Sequence, residues 1–253
     1  MYKTIASNYH YFWANFFMAF NFLEGEIFLV DKPLEWTSFD VVNKIRNEVR
    51  KIKNEEGEKI YKNLKVGHAG TLDPLASGLL IIGTGKNTKR LDEWQAQEKE
   101  YTGEFFLGAT TPSFDKETDV NKHFEVNHIT TDLIFSAAKT LTGDLMQTPP
   151  VHSAIKQEGE RVYEKARRGE EVIMKQKLVT IFEFEITKIE LPIVSFRIVC
   201  SKGTYIRSLA DDFGKTLNSG AYLNKLCRTR SGAFMLSDAH KLDALVDKIQ
   251  ALR

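Results

Sequence analysis

An unbroken apolar run, Leu79-Leu80-Ile81-Ile82, follows directly on a stretch of small residues, Gly67-His68-Ala69-Gly70-Thr71-Leu72-Asp73-Pro74-Leu75-Ala76-Ser77-Gly78. The run predicts a buried strand over Leu79 to Gly83. The carboxylate just ahead of it, Asp73, is costly to ionise against such a core unless something compensates it. The glycines, alanines and serine around it let another backbone come close. Local features leave two readings open. Asp73 is either a turn residue capping the entry to the strand, or a nucleophilic or acid–base aspartate at the rim of a sheet.

The 253 residues suffice for one large domain or two modest ones. A hydrophobic share of 42% with 27% charged residues is that of a soluble globular protein. The formal net charge is only +1, so any affinity for nucleic acid must come from a local basic face. Cys200 and Cys227 lack metal-ligand spacing, and two reduced thiols in a cytoplasmic protein are expected. Tyr9 to Phe22 is aromatic-rich, yet too short and too polar for a membrane span, and it lacks the marks of a signal peptide. Met18 within it is expected to be the natural start, with residues 1–24 an N-terminal extension.

A short strand is expected over Glu26 to Val30, ended by Asp31-Lys32-Pro33. Thr37 or Ser38 then caps a helix whose apolar face is Val41, Val42, Ile45, Val49 and Ile52. Residues 54–63 read as a surface loop. Further strands are expected over Tyr101 to Thr110, Val179 to Leu191, Ile193 to Cys200 and Phe234 to Leu236. Helices are expected from Thr130 or Thr131 to about Thr140, over Glu160 to Arg168, from a Thr204 cap through Leu217, and over Lys241 to Leu252. Strands and helices alternate without a βαβ rhythm, which favours an α+β fold.

Several chemistries are excluded by spacing. Gly83-Thr84-Gly85-Lys86 fails the Walker pattern, with Leu80 and Asn87 where glycine and a hydroxyl residue belong. Thr88 stands where a dinucleotide loop needs its third glycine. The histidines form no metal-ligand set, and no serine lies in a G-x-S-x-G elbow. Three segments of unusual chemistry remain beside the Asp73 stretch. One is Lys99-Glu100-Tyr101-Thr102. Another runs from Gln147-Thr148-Pro149-Pro150 through Lys156 to Gly169. The third is Ser201-Lys202-Gly203-Thr204-Tyr205-Ile206-Arg207-Ser208-Leu209-Ala210.

Together these segments resemble the TruB-type tRNA pseudouridine synthases. The signature GH-x-G-x-LDP-x-A-x-G is met by GHAGTLDPLASG, and VDKPLEWTSFDVV matches the family's opening. The K-x-Y, PP-x-x-SA-x-K-x-x-G-x-R-x-Y-x-x-AR-x-G and KGTYIR-x-LA blocks follow in order, so the resemblance covers nearly everything from Gly25 to Ala239. Phe39 departs from it, standing where the family commonly has histidine.

The resemblance implies a pseudouridine synthase fold, a mixed and mainly antiparallel sheet flanked by helices, over residues 25–253. Too few residues follow Leu242 for the family's C-terminal RNA-binding PUA domain. It also implies isomerisation of a T-loop uridine of tRNA, conventionally numbered 55, to pseudouridine, without cofactor, metal, membrane or obligatory protein partner. Asp73 is implied as the catalytic aspartate and Arg207 as its ion-pair partner. Tyr101 is implied as the tyrosine that stacks on the base and takes part in proton transfer. His68, Tyr205, Leu226 and Lys99 are implied in substrate binding. His68 either replaces the flipped base or merely shapes the Asp73 loop. Basic clusters at Lys86, Lys89 and Arg90, at Lys156, Arg161, Lys165, Arg167 and Arg168, and at Lys225, Arg228 and Arg230 would meet phosphate. Asp115, Glu117 and Asp119 would lie elsewhere. A tRNA-binding or tRNA-folding module, with secondary or lost catalysis, is the alternative.

Overall fold

The computed structural model describes residues 20–150, 156–157, 160–161, 168 and 174–253. Met18, and most of the aromatic segment around it, lie outside the described residues.

The elements follow in the order β1 (Ile27–Lys32), α1 (Ser38–Val49), β2 (Val66–Ala69), β3 (Ala76–Thr84), α2 (Leu91–Ala96), β4 (Lys99–Leu107), β5 (Ala109–Thr110) and β6 (Lys122–His123). Then come α3 (Thr131–Thr140), β7 (Gly143–Gln147), β8 (Lys156–Gln157), β9 (Glu160–Arg161), β10 (Lys177–Glu190) and β11 (Ile193–Cys200). The chain closes with α4 (Ile206–Thr216), β12 (Ala221–Ser231), β13 (Phe234–Met235), β14 (His240–Lys241) and α5 (Leu242–Gln250).

A ten-stranded sheet runs β14-β1-β3-β12-β4-β11-β10-β7, with β2 on β3 and β13 on β12. The β1–β14 and β3–β12 pairs are parallel and the other pairs of this sheet antiparallel. This is the mixed α+β architecture expected. β3 is covered on both faces, which is why its apolar run is continuous rather than alternating. Leu80 and Ile82 join α1 and α5 in one core, whereas Ile81 meets Ala69 and Trp94 in another. A third core joins β4, β10, β11 and β12 to α3 and α4 through Phe105, Phe196, Leu209 and Phe213. At the N-terminal end Phe22 is fully buried against Phe20, Phe28 and Tyr61 in the core of α1 and α5, whereas Asn21, Leu23 and Glu24 are exposed.

β12 joins the two halves of the sheet. Gly78 of β3 has φ +99°, and a Cβ there would collide with the backbone of Arg228, so glycine is what lets these strands approach.

Most expected elements are present, with shifted ends. Two expectations need correction. The helix over 160–168 does not begin as expected, since Glu160–Arg161 pair with Lys156–Gln157 as antiparallel strands. The N-cap of α4 is Tyr205, not Thr204, whose hydroxyl donates instead to the Ser201 carbonyl at 2.9 Å. β2, β7 and the eleven-residue β12 had no counterpart in the sequence reading.

Candidate active site

Asp73 lies in the loop between β2 and β3. Gly70, at φ +85°, turns the chain out of β2. The loop is then held from α1. The buried Ser38 hydroxyl accepts from Leu72 N–H at 2.8 Å and donates to the Leu72 carbonyl at 3.0 Å. Ser38 is placed by a capping box between Thr37 and Asp40. The fully buried Lys32 closes the preceding turn by donating to the carbonyls of Pro33, at 2.8 Å, and Trp36, at 2.6 Å. Burial pulls its pKa down to about 8, with Asp73 acting the other way.

Arg207 is the second residue of α4. Its Nε stands 3.0 Å from Asp73 Oδ2, and its Nη1 3.5 Å from Asp115 Oδ2. The Arg207 side chain is 5% exposed and that of Asp73 43%, so the cation is enclosed while the carboxylate stays open to a reactant. Burial raises the Asp73 pKa. Arg207 opposes the rise, Asp115 and Glu117 add to it, and Lys32 opposes it further. Tyr205, two residues upstream, is gripped at both backbone groups by the buried Gln147 amide. Its N–H donates to Gln147 Oε1 at 2.7 Å, and Gln147 Nε2 donates to its carbonyl at 3.1 Å.

Tyr101 and Lys99 come from β4. Tyr101 is 9% exposed, and burial pushes its phenol above the ordinary range while Arg228 pulls it back. Lys99 donates to the carbonyls of Gln95, at 2.6 Å, and Gln97, and burial lowers its pKa to about 8. A cleft of about 560 Å³ is lined by Asp73, Lys99, Tyr101, Tyr205, Arg207 and Arg228, among others. A slot of about 60 Å³ lies between Asp73, Tyr101, Tyr205, Arg207 and Leu226.

His68 lines neither cavity. It lies half-buried on β2 opposite Ile82, and among the described residues its buried Nδ1 has no hydrogen-bond partner. Burial lowers its pKa, and Arg228 lowers it further, so the ring favours the neutral state.

Two charged residues lie where the sequence reading did not place them. Asp115 was expected away from the site but is buried against Arg207, fixed by Glu117 N–H donating to its Oδ1 at 2.9 Å. Arg228 was expected on a phosphate-binding surface but is 1% exposed within the sheet. Its neighbours Lys225 and Arg230 are paired with Glu104 and Glu98. Lys86 pairs with Glu24 and Arg90 with Glu93, so part of the first basic cluster is neutralised locally. In the second cluster only Arg168 has a described side chain, and it is exposed. Among the described residues no group of His, Cys, Asp and Glu could hold a metal, and no helix is long and apolar enough to cross a membrane.

Comparison with known proteins covers most of the chain. A family described as TruB family pseudouridylate synthase (N terminal domain) matches residues 58–206. The tRNA pseudouridine synthase B of Flavobacterium johnsoniae is 50% identical over 229 residues, 90% of this chain and 98% of that protein. The chain belongs to the TruB family of pseudouridylate synthases. Its relative from Parabacteroides distasonis, another tRNA pseudouridine synthase B, is 52% identical over 217 residues, 85% of this chain and 89% of that one. TruB-like folds recur among solved structures. A Cbf5-Nop10-Gar1 complex matches with TM-score 0.65 and 28% identity, over 89% of this chain and 54% of that one. An H/ACA RNP bound to a substrate RNA containing 2'-deoxyuridine matches with TM-score 0.63 and 26% identity, over 89% and 53%. This TruB-family chain thus spans about half the length of those structural neighbours.

Proposed function

We propose that this protein converts a T-loop uridine of tRNA, conventionally position 55, into pseudouridine. The observation that carries the reading is the Asp73 carboxylate held 3.0 Å from Arg207 in a cleft it shares with Tyr101. The identity to tRNA pseudouridine synthases B supports the choice of substrate. In this reading residues 25–253 form the catalytic unit. It works in the cytoplasm without an obligatory protein partner.

The N1–C1′ bond breaks, the base turns, and a C5–C1′ bond forms. Electrons are neither gained nor lost, so the reaction calls for no redox cofactor. Asp73, ionised and steered by Arg207, assists departure of the base or attacks the substrate. Tyr101 stacks on the uracil and takes the proton leaving C5. Tyr205 and Leu226 wall the base pocket, and Lys99 anchors its floor. The stacked uridine must first leave the T-loop, which costs a few kcal/mol. His68 supports the loop from which it departs.

Asp73→Asn tests the reading. It should abolish pseudouridine formation in tRNA while leaving tRNA affinity within about tenfold, roughly 1.4 kcal/mol. Product formed at the wild-type rate by this variant would defeat the assignment and leave a tRNA-folding role in its place.

A further inference from the structure

We propose that Arg228 is a positioning residue for Tyr101: from the adjacent strand its guanidinium fixes the phenol oxygen and ties the root of the Asp73 loop to β3. The proposal rests on the function given above, in which Tyr101 handles the C5 proton.

Arg228 stands directly opposite Tyr101 in the β12–β4 ladder, so both side chains leave the sheet on one face, and both line the larger cleft. The register slips immediately afterwards. Arg228 opposes Tyr101 and Arg230 opposes Glu100, leaving Thr229 as the extra residue of a bulge. The Thr229 hydroxyl bonds Glu100 at its carboxylate, at 2.7 Å, and holds that bulge. On the other side Arg228 Nε donates to the Leu79 carbonyl at 2.7 Å and Nη2 to the Gly70 carbonyl at 3.1 Å. Those two carbonyls belong to the buried strand and to the turn that launches the catalytic loop. From across the ladder the Arg228 charge pulls the Tyr101 phenol's pKa down, against the rise that burial causes.

The charge matters as much as the geometry. A guanidinium stays protonated when buried, and burying it is costly unless it is answered. Arg228 donates to neutral backbone carbonyls, those of Leu79 and Gly70, and among the described residues it has no ion pair with a carboxylate. Its positive charge is therefore available to an anion that forms only during reaction. When C5 bonds to C1′, the C5–H bond breaks and its electron pair restores the C5=C6 double bond. The Tyr101 phenol releases its own proton toward N1 and takes up the one leaving C5, and the Arg228 charge stabilises the negative charge that builds on its oxygen between the two transfers. N1 gains a proton as C5 loses one, so the isomerisation balances and Tyr101 is regenerated.

Two measurements test this. In Tyr101→Phe, which leaves Arg228 intact, the guanidinium NMR resonances of Arg228 should shift, and unshifted resonances would overturn the proposal whether or not the chain is active. Single-turnover pseudouridine formation should fall about tenfold in Arg228→Lys and about 1000-fold in Arg228→Met, with tRNA affinity kept within about threefold. A wild-type rate in Arg228→Met would also overturn it. If the Met variant fails to fold, the resonance shift decides. Failure of the unaltered protein to form pseudouridine would instead defeat the function on which the proposal rests.

Discussion

Asp73 feels opposed fields. Burial, Asp115 and Glu117 hold its proton on, while Arg207 and Lys32 pull it off. An aspartate that acts ionised loses activity as pH falls through its pKa, and here that pKa lies above the ordinary carboxylate value. The acid limb of kcat/KM should therefore stand at higher pH than a free aspartate gives. Asp115→Asn removes one upward push and should move that limb to lower pH. It should also lower the plateau, because Arg207 loses the Asp115 carboxylate that stands 3.5 Å from it. A limb that moves to higher pH, or not at all, would refute the coupling. At this scale the sequence was legible for Asp73, Arg207 and Tyr101 because family motifs mark them. Asp115 and Arg228 were misplaced because a charged side chain reads as exposed until its partners are known. Those partners lie far along the chain, Arg207 for Asp115 and Gly70 and Leu79 for Arg228.

Elements set the precision of the site. The first turn of α1 supplies the Ser38 hydroxyl that satisfies both backbone groups of Leu72 next to Asp73. Ser38→Ala would leave that buried N–H and carbonyl unanswered, at about 1–3 kcal/mol. Chemical denaturation should report that loss, and kcat should fall as the Asp73 loop loosens. An unchanged midpoint together with an unchanged rate would show that the hydroxyl is dispensable. α1 was readable because Val41, Val42, Ile45 and Val49 repeat at helical spacing ahead of a hydroxyl cap. β12 was not readable. Two bulges break its alternation, at Leu223/Lys225 and Arg228/Arg230, and one of its buried positions is an arginine. Thr204 misled because a hydroxyl ahead of a helix suggests a cap, whereas the Gln147 amide, 58 residues away, takes the Tyr205 N–H that starts α4.

At the scale of the whole molecule, the sheet depends on one narrow junction. Gly78→Ala would set a Cβ into the Arg228 backbone at a left-handed φ, so the β3–β12 pair must part. Strain of that kind costs about 1–3 kcal/mol. The melting temperature should drop, and activity should drop with it because Arg228 moves. A variant as stable and active as the parent would show that the junction tolerates bulk. The overall α+β architecture was legible from intermixed strands and helices. The order of strands was not, since β12 enters between β3 and β4 from far along the chain. That insertion has a consequence during synthesis. Until the ribosome has delivered Ala221–Ser231, the half-sheets built on β1–β3 and β4–β11 face each other as raw edges. Non-local pairing of this sort is slow to complete. A growing polypeptide is therefore prone to self-association until about its last eighth zips the halves shut, and Arg228, which lies on that seam, reaches the Asp73 loop only then.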